Sequence, residues 1–534
     1  APPGGPPAAR KGAWWGLAGL GGWRGVMLAP RPSAAATPPD DGLVCTTNPT
    51  ASFVLTAKSG YVTTPDMNSM FMWSYTNGNN GFQYPGTYLC VNEGDKVTIT
   101  LKNTLKRLAS DGTTVVPVTT SIMFPGISGV NADGQPVQPD LANNALVQGA
   151  ASGGSVTYTF TAGDPGTYLY ESGTDPQTQV RMGLVGALIV RPAGHPDYVY
   201  APKSGFPSTQ FNAGHEYVHL LTEIDPDQHQ AIEFGKDFDP TQYKPRYYMI
   251  NGRSFPDTIA PNFSAHLPSQ PYGSLVHIVP RSAANPLPAV IRYLNAGPVN
   301  YPFHPHSNHE RIVGIDGRQL ANPNVVTSKG KAGTIDAAAV GVTSLVYSAA
   351  AGGTPGINDT FTVDALTANQ ETVTVGAVSG TGPYTLTLKN PTAFAHLAAA
   401  AATADTVADT SVDRFGIVVV PGQTQEGLFF WQDAQEWDPS TNPVSVQVPP
   451  IQTRTEGAFW SGTPYLGVLS AMDLIMQGKA HFNQCGEFYH VAHSHALFQV
   501  TNYGLMTGTG MLTMIRVDPP DPNHPDQSRP DCLK

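Results

Sequence analysis

Short stretches in which apolar and polar residues alternate recur along the chain. The clearest examples are residues 54–57, 96–101, 360–363, 371–375 and 384–388. Such alternation places successive side chains on opposite faces of an extended backbone, as in a strand with one buried face. The 55 glycines and 49 prolines are spread throughout, as many turns would require. The pattern predicts an all-β protein.

Two pairs of histidines stand in strand-like surroundings. His304 and His306 lie between two apolar runs, and His493 and His495 lie within residues 488–500. Because alternate side chains of a strand share a face, each H-x-H pair presents two imidazoles on one side. Four neutral imidazoles brought together could bind one or two copper or zinc ions. The alternative is that all four are surface or edge residues without a metal.

The sequence around both pairs resembles the last cupredoxin domain of the multicopper oxidase family. The motifs are N-A-G-P at 295–298, P-F-H-x-H at 302–306, R-I-V-x-x-D-G at 311–317, P-G-Q-T at 421–424, H-x-H at 493–495 and G-M-L-T-M at 510–514. In that family a type 1 copper, bound by two His and a Cys, passes electrons to a trinuclear copper cluster that reduces dioxygen. The resemblance implies a cupredoxin fold, and it implies that His304, His306, His493 and His495 are retained cluster ligands.

The type 1 positions of the family are occupied by other residues. Carried over position by position, they fall on Tyr301, Ser494 and Gln499. Ser494 stands where the family has the cysteine, and a hydroxyl cannot supply the soft thiolate of a blue copper site. The resemblance therefore implies that the type 1 copper has been lost.

The first-domain half of the cluster also departs from the family. The segments Y-P-G-T at 84–87, E-G-D at 93–95 and G-L-V-G-A-L-I-V at 183–190 resemble the family's first domain. The four ligand positions between them fall on Met123, Pro125, Glu171 and Gly173. Proline and glycine offer no side-chain ligand, so the resemblance implies a retained scaffold whose copper chemistry has been removed.

These motifs predict two cupredoxin-like domains, each a Greek-key β-barrel or sandwich, with a small β domain inserted into the second. The predicted divisions are 1–41 for a signal-like or arm segment, 42–195 for domain 1, 210–324 with 413–520 for domain 2, 325–412 for the inserted domain and 521–534 for a tail. An insertion is inferred because roughly ninety residues stand where the family has a short loop. Their alternating pattern favours a β-sandwich suited to contacts between molecules, or a decoration without a role.

Composition and charge narrow the class of protein. The net charge of −11 argues against a nucleic-acid partner, and no apolar run is long enough to span a bilayer. Cys45 and Cys90 lie near one end of the chain, and Cys485 and Cys532 near the other. This arrangement fits two local disulfides in a secreted, periplasmic or cell-surface protein, with four free thiols as the alternative.

No other catalytic motif stands out, since H-E-x-x-H, G-x-S-x-G and phosphate-binding loops are absent. Glu223 and Asp225 are interpreted as solvated turn residues. His215, His219 and His229 are interpreted as surface or strand residues.

Two functions remain as hypotheses. The first is a secreted protein that keeps the multicopper oxidase fold, retains a His copper site and serves binding or assembly. The second is an active copper oxidase of phenols or metal ions, with Cys485, His490 or His309 recruited to an atypical centre. The first hypothesis includes a homo-oligomer or larger extracellular assembly. The surface predicted to mediate it comprises Ile122, Phe124, Tyr168, Tyr170, Phe303 and Phe498.

Overall fold

The structure is a computed structural model of the chain. It describes residues 41–203, 206–281, 285–306, 309–322, 331–350, 353–365, 367–404, 408–431, 446–448, 461–464, 481–483, 488–503, 506–507, 509–518, 520–521 and 523–528. The predicted arm or signal segment lies outside these residues, except for Asp41, as do Cys485 and Cys532. In the described part, no helix combines the length and apolar character needed to cross a membrane.

The first half of the chain is built from two sheets. The larger sheet contains, in spatial order, Ser69–Asn77, Ser52–Thr63, Lys96–Asn103, Ser155–Thr161, Asn131–Ala132 and Gln135–Pro136. The smaller contains Gly166–Glu171, Val185–Arg191 and Leu89–Asn92. A two-stranded ribbon joins Lys106–Leu108 to Val115–Pro117, and the helix Pro176–Gln179 and the 3-10 helix Leu141–Asn143 lie in the connections.

The second half contains two further sheets. One contains Tyr247–Ile250, Glu216–Ile224, Ala289–Asn295, Thr424–Phe429, Glu310–Ile315 and Arg318–Gln319 in order, with Val412–Arg414 also paired to Glu310–Ile315. The other contains Val276–Ile278, Leu512–Val517, Phe488–Ser494, Tyr301–Pro305 and Ile417–Val419, with Ser461–Pro464 also paired to Phe488–Ser494. The helix Pro226–Glu233 and the 3-10 helices Pro240–Gln242, Asp257–Ile259 and Leu497–Val500 connect the strands.

The remaining paired strands are short. They are Ala321–Asn322 with Ala408–Asp409, Val446–Val448 with His481–Asn483, Thr501–Asn502 with Met506–Thr507, and Pro520–Asp521 with His524–Ser528.

The inserted segment forms a closed six-stranded barrel, so the predicted two-sheet sandwich is wrong. Around the barrel the strands are Ala332–Ile335, Ser344–Ala349, Tyr384–Leu388, Glu371–Ser379, Thr360–Val363 and Ala400–Ala404. Inward-facing residues such as Tyr347, Phe361 and Val375 fill its interior. Alternation predicts which strands have one buried face, but a closed barrel and a sandwich bury alternate residues in the same way.

The two halves share a core. One cluster of buried side chains draws Met72, Tyr84 and Leu169 from the first half and Leu220 and Met249 from the second. Buried charges add to this contact: Glu216 binds Arg292 at 2.7 Å and Arg191 at 2.6 Å. The halves are therefore joined by a packed apolar and ionic interface within one chain.

Cys45 and Cys90 form a disulfide, which is the pairing expected of the two cysteines near the start of the chain. It connects the segment before the first strand to the strand Leu89–Asn92.

Several residues interpreted as solvent-facing are buried. Glu223 and Asp225 are 4% and 0% exposed, so their interpretation as solvated turn residues is wrong. His219 is buried in the strand Glu216–Ile224, which agrees with its interpretation as a surface or strand residue. His229 is buried in the helix Pro226–Glu233, where it reaches the carbonyl oxygens of Phe71 and Arg181, so the same interpretation is wrong for His229. Each of the four has at least one hydrogen-bond partner 19 or more positions away in sequence, such as Tyr301 for Glu223 and the Lys244 amide for Asp225. Local composition does not reveal such partners.

The predicted assembly surface is mostly wrong for the same reason. Five of its six side chains lie in the chain's own core: Ile122, Phe124, Tyr168, Tyr170 and Phe303. The sixth, Phe498, is 64% exposed.

Candidate metal centre

The four predicted histidines come together because two strands are adjacent and in register. Tyr301–Pro305 pairs antiparallel with Phe488–Ser494, and His304 lies directly opposite His493. The flanking residues Phe303 and Ser494 face the interior, where both are fully buried. Because side chains alternate along a strand, the imidazoles of His304 and His493 are directed to the other face.

The imidazole rings of the cluster are in mutual contact. The centroid of the His304 ring lies 4.9 Å from that of His306, 4.7 Å from that of His495 and 5.7 Å from that of His493. The His493 ring lies 5.0 Å from His306 and 5.9 Å from His495. The structure thus brings together all four predicted residues, from positions nearly two hundred residues apart in sequence.

One nitrogen pair lies at the centre of this arrangement. His306 Nε2 and His493 Nε2 are 2.9 Å apart. His493 Nδ1 lies 2.7 Å from the carbonyl oxygen of Ser494, which can only accept a hydrogen bond. We therefore assign the His493 proton to Nδ1, so that His306 Nε2–H donates to the lone pair on His493 Nε2.

The cluster favours uncharged imidazoles. Burial, followed by the neighbouring histidines, lowers the pKa of His306 to about 4. Burial likewise lowers the pKa of His304 and of His493. At neutral pH these rings are neutral, which is the state in which imidazole binds a metal.

The cluster is not a preformed cage. Among the described residues, no group of three or more His, Cys, Asp or Glu side chains is already placed around a common metal position. His495 is exposed, and the His304 ring packs on Phe415 with the centroids 4.1 Å apart. Small rotations of the imidazoles would be needed before all four could face one ion.

A fifth imidazole, that of His490, lies beside the cluster. From the sequence, His490 is considered only as an alternative copper ligand. It is buried, its Nδ1 has no hydrogen-bond partner among the described residues, and its ring lies 4.1 Å from that of Trp431. Burial and the proximity of His306 lower its pKa to about 4. Because His490 lies three residues before His493 in the same strand, alternation predicts opposite faces for the two, so the spacing gives no signal for His490.

The family's type 1 positions hold a hydrogen-bonded network. The Ser494 hydroxyl donates to Gln499 Oε1, and Gln499 Nε2 donates to the carbonyl of Asn300 at 3.2 Å. Tyr301 OH donates to Glu223 Oε2 at 3.0 Å. Burial raises the pKa of Glu223 to about 7. The polar groups of Ser494, Gln499 and Tyr301 thus bind one another or nearby protein groups.

Two of the first-domain positions that the resemblance equates with cluster ligands, Met123 and Glu171, lie opposite each other. Met123 and Glu171 exchange backbone hydrogen bonds of 2.8 and 3.1 Å. Burial raises the pKa of Glu171 to about 7. A Cβ on Gly173 would lie 3.0 Å from Val147, so a larger residue there would require Val147 to move.

Comparison with known proteins finds a family-model match to part of the chain and several similar solved structures. Residues 72–195 match the multicopper oxidase family model. Solved structures similar to this chain include the multicopper oxidase mgLAC, with 14% identity over 88% of this chain and 86% of that one and a TM-score of 0.45. The blue copper oxidase from Nitrosomonas europaea has 15% identity over 90% and 92%, with a TM-score of 0.44. The copper nitrite reductase of the same organism has 14% identity over 91% and 99%, with a TM-score of 0.39. No curated protein matches the chain.

The sheets and the family match define an all-β protein of the cupredoxin-like class. The resemblance to the multicopper oxidase family is confirmed, and the family model places it directly on residues 72–195.

Proposed function

We propose that this protein binds copper through His304, His306, His493 and His495, has no type 1 copper, and serves binding or assembly. The observation that carries the proposal is the 2.9 Å separation of His306 Nε2 and His493 Nε2. In the square-planar geometry that Cu(II) prefers, two nitrogens bound to one ion at about 2.0–2.1 Å and about 90° apart are separated by about 2.9 Å. The spacing of the pair therefore fits a shared metal ion.

The surrounding contacts also fit a metal ligand set. Imidazole suits copper and zinc, and the Ser494 carbonyl would keep the metal-binding Nε2 of His493 unprotonated by holding the proton on Nδ1. Bound copper would supply a redox-active Lewis acid. The chain's own contribution would be to fix the imidazoles on two paired strands, with the His306 ring taking the tautomer that carries its proton on Nδ1 and leaves Nε2 free to bind.

Turnover by the family's route is not expected. That route needs a thiolate to receive electrons, and Ser494 carries a hydroxyl that already donates to Gln499. The Tyr301 hydroxyl is likewise committed to Glu223. We therefore assign the copper centre a binding role and not an electron-transfer role.

The compartment and assembly are part of the proposal. The Cys45–Cys90 disulfide supports an oxidising compartment, as expected of a secreted, periplasmic or cell-surface protein. Phe415 beside His304, Val418 opposite Pro302, and Leu497 and Phe498 after His495 are exposed apolar residues. Such a grouping in a water-soluble protein supports a contact with another copy of the chain.

A metal-loading experiment tests the copper site. The protein is stripped with chelator, loaded separately with Cu(II) and Zn(II), desalted and assayed for metal. We expect copper to be retained without intense blue colour, and retention to fall in a His306→Ala, His493→Ala double variant. His195→Ala is the matched control, because His195 is exposed and contacts Tyr198 outside the cluster. Absence of retained copper in the unaltered protein would contradict the proposal.

An active copper oxidase is the second candidate, and the buried His490 favours it. Its unpartnered Nδ1 offers another nitrogen near His306. Copper-dependent oxygen consumption with a phenol, abolished by His490→Ala, would support this candidate over the first. No oxygen consumption above that of free copper would leave the binding role as the better account.

A further inference from the structure

A cavity lies away from the histidine cluster, beside the helix Pro226–Glu233 and the short helix Pro176–Gln179. Its volume is about 260 Å³. None of the residues that line it belongs to the metal centre, and no sequence motif predicts it. It therefore requires a separate explanation.

Two buried side chains lining the cavity carry unsatisfied polar atoms. Trp73 and Gln228 are each 2% exposed. Within the described ranges, Trp73 Nε1 and Gln228 Oε1 have no hydrogen-bond partner. Leaving a buried polar group unsatisfied costs free energy, so a ligand that satisfied both atoms would gain affinity. One atom is a donor and the other an acceptor.

Four charged residues also line the cavity. Arg107 and Asp175 are half-buried, whereas Lys236 and Asp237 are exposed. No ion pair joins any of the four to a described residue. A half-buried guanidinium and a half-buried carboxylate, both unpaired at one cavity, favour a ligand that carries both signs of charge.

We propose that this cavity binds a free α-amino acid with an amide side chain, of the glutamine or asparagine type. The ligand carboxylate would pair with Arg107, and its ammonium group with Asp175. The side-chain carbonyl would accept from Trp73 Nε1–H, and the side-chain NH₂ would donate to Gln228 Oε1. A primary amide supplies both functions in one group. This proposal does not depend on copper.

The test is isothermal titration calorimetry of the full chain with L-glutamine and with L-norleucine, which has a similar length but lacks the amide. We expect saturable binding of L-glutamine and at least about tenfold weaker binding of L-norleucine, since norleucine leaves both buried polar atoms unpaired. Arg107→Ala should weaken L-glutamine binding by at least about tenfold, through loss of the carboxylate partner. Lys102→Ala, which changes an exposed lysine outside the cavity, should leave it unchanged.

Three outcomes would overturn the proposal. They are the absence of saturable L-glutamine binding, equal binding of L-norleucine, and unchanged binding by Arg107→Ala. The last two would mean that the cavity does not recognise the amide or the carboxylate. Thermal unfolding of each variant, compared with the unaltered protein, establishes that a lost signal does not reflect lost structure.

Discussion

His304 lies directly opposite His493 across two antiparallel strands, although 189 positions separate the two residues in the sequence. The strand register brings the other two histidines of the H-x-H pairs to the same face, because each lies two residues further along the chain. A shift of one residue in this pairing would turn one histidine pair into the core. The candidate metal centre is thus a consequence of sheet register.

Removing the His493 imidazole, which supplies one nitrogen of the central pair, should weaken copper binding. We expect His493→Ala to lower the affinity for Cu(II) by at least about tenfold, because even outer partners of metal ligands contribute that much. Competition with a chelator of known affinity measures the change. His195→Ala should have no effect. Equal affinities of His493→Ala and the unaltered protein would contradict the assigned ligand.

Restoring the family cysteine should not restore a blue copper site. Ser494→Cys places a sulfur in the core, but Tyr301 and Gln499 remain at the other ligand positions. We expect no intense blue absorption after copper loading and no oxidation of phenols. An intense blue band would show that a blue copper site forms even with Tyr301 and Gln499 at the other two ligand positions.

The buried ion pair of Glu216 with Arg292 in the second half should contribute strongly to stability. Glu216→Ala leaves Arg292, which is 1% exposed, without its carboxylate partner. Loss of one member of a buried pair costs about 3–5 kcal/mol. Urea unfolding should show this loss, whereas Asp413→Ala, which removes the exposed pair with Arg311, should cost less than about 1 kcal/mol. Similar losses of free energy of unfolding in the two variants would contradict a strong contribution of the buried Glu216–Arg292 pair.

Because of the contact between His277 and Asp518, the free energy of unfolding should fall as the pH becomes alkaline. Burial opposes the charge on His277, but hydrogen bonds from its ring to Asp41 and Asp518 outweigh burial and raise its pKa from 6.5 to about 9. Because the folded pKa is raised, the stabilisation is fully present below pH 6.5 and is lost as pH rises through about 9.

Comparison with His277→Asn tests this dependence. The difference in free energy of unfolding between the unaltered protein and the variant should shrink from pH 6.5 to about 9. The expected change is on the order of 1–3 kcal/mol, since one pKa unit corresponds to about 1.4 kcal/mol and the groups are coupled. A difference independent of pH would mean that His277 is not charged in the folded protein.

The exposed apolar residues near the metal centre should determine association. We expect the unaltered chain to scatter light as a homo-oligomer larger than the 56.5 kDa monomer, and Leu497→Asp with Phe498→Asp to shift it toward the monomer. Tyr61→Asp is a control, because Tyr61 is exposed on a strand of the first half. A monomer mass for the unaltered chain at micromolar concentration would contradict the assembly.

Local pattern was sufficient to predict many strands and the proximity of the four histidine rings. Residues 96–101, for example, lie in the strand Lys96–Asn103, whose exposed and buried positions alternate as expected. The spacing of the H-x-H pairs likewise predicts which side chains share a face. These predictions depend on neighbouring residues, whose geometry a strand fixes directly.

What the sequence did not predict depends on distant partners. Glu223 looked like a solvated turn residue because its partner, Tyr301, is 78 residues away. Phe124 and Tyr168 looked like exposed contact residues because the core that buries them is formed by several separate strands. The barrel was mistaken for a sandwich because closure depends on which edge strands pair, and alternation carries no information on pairing.

The most direct test of the central claim is anomalous diffraction at the copper absorption edge from crystals of the copper-loaded protein. We predict a copper peak within about 2.0–2.2 Å of His306 Nε2 and His493 Nε2, with His304 or His495 completing the ligand set, and no copper beside Ser494. Absence of a copper peak at this cluster, or a dominant peak elsewhere in the chain, would contradict the claim that the four histidines form a copper site.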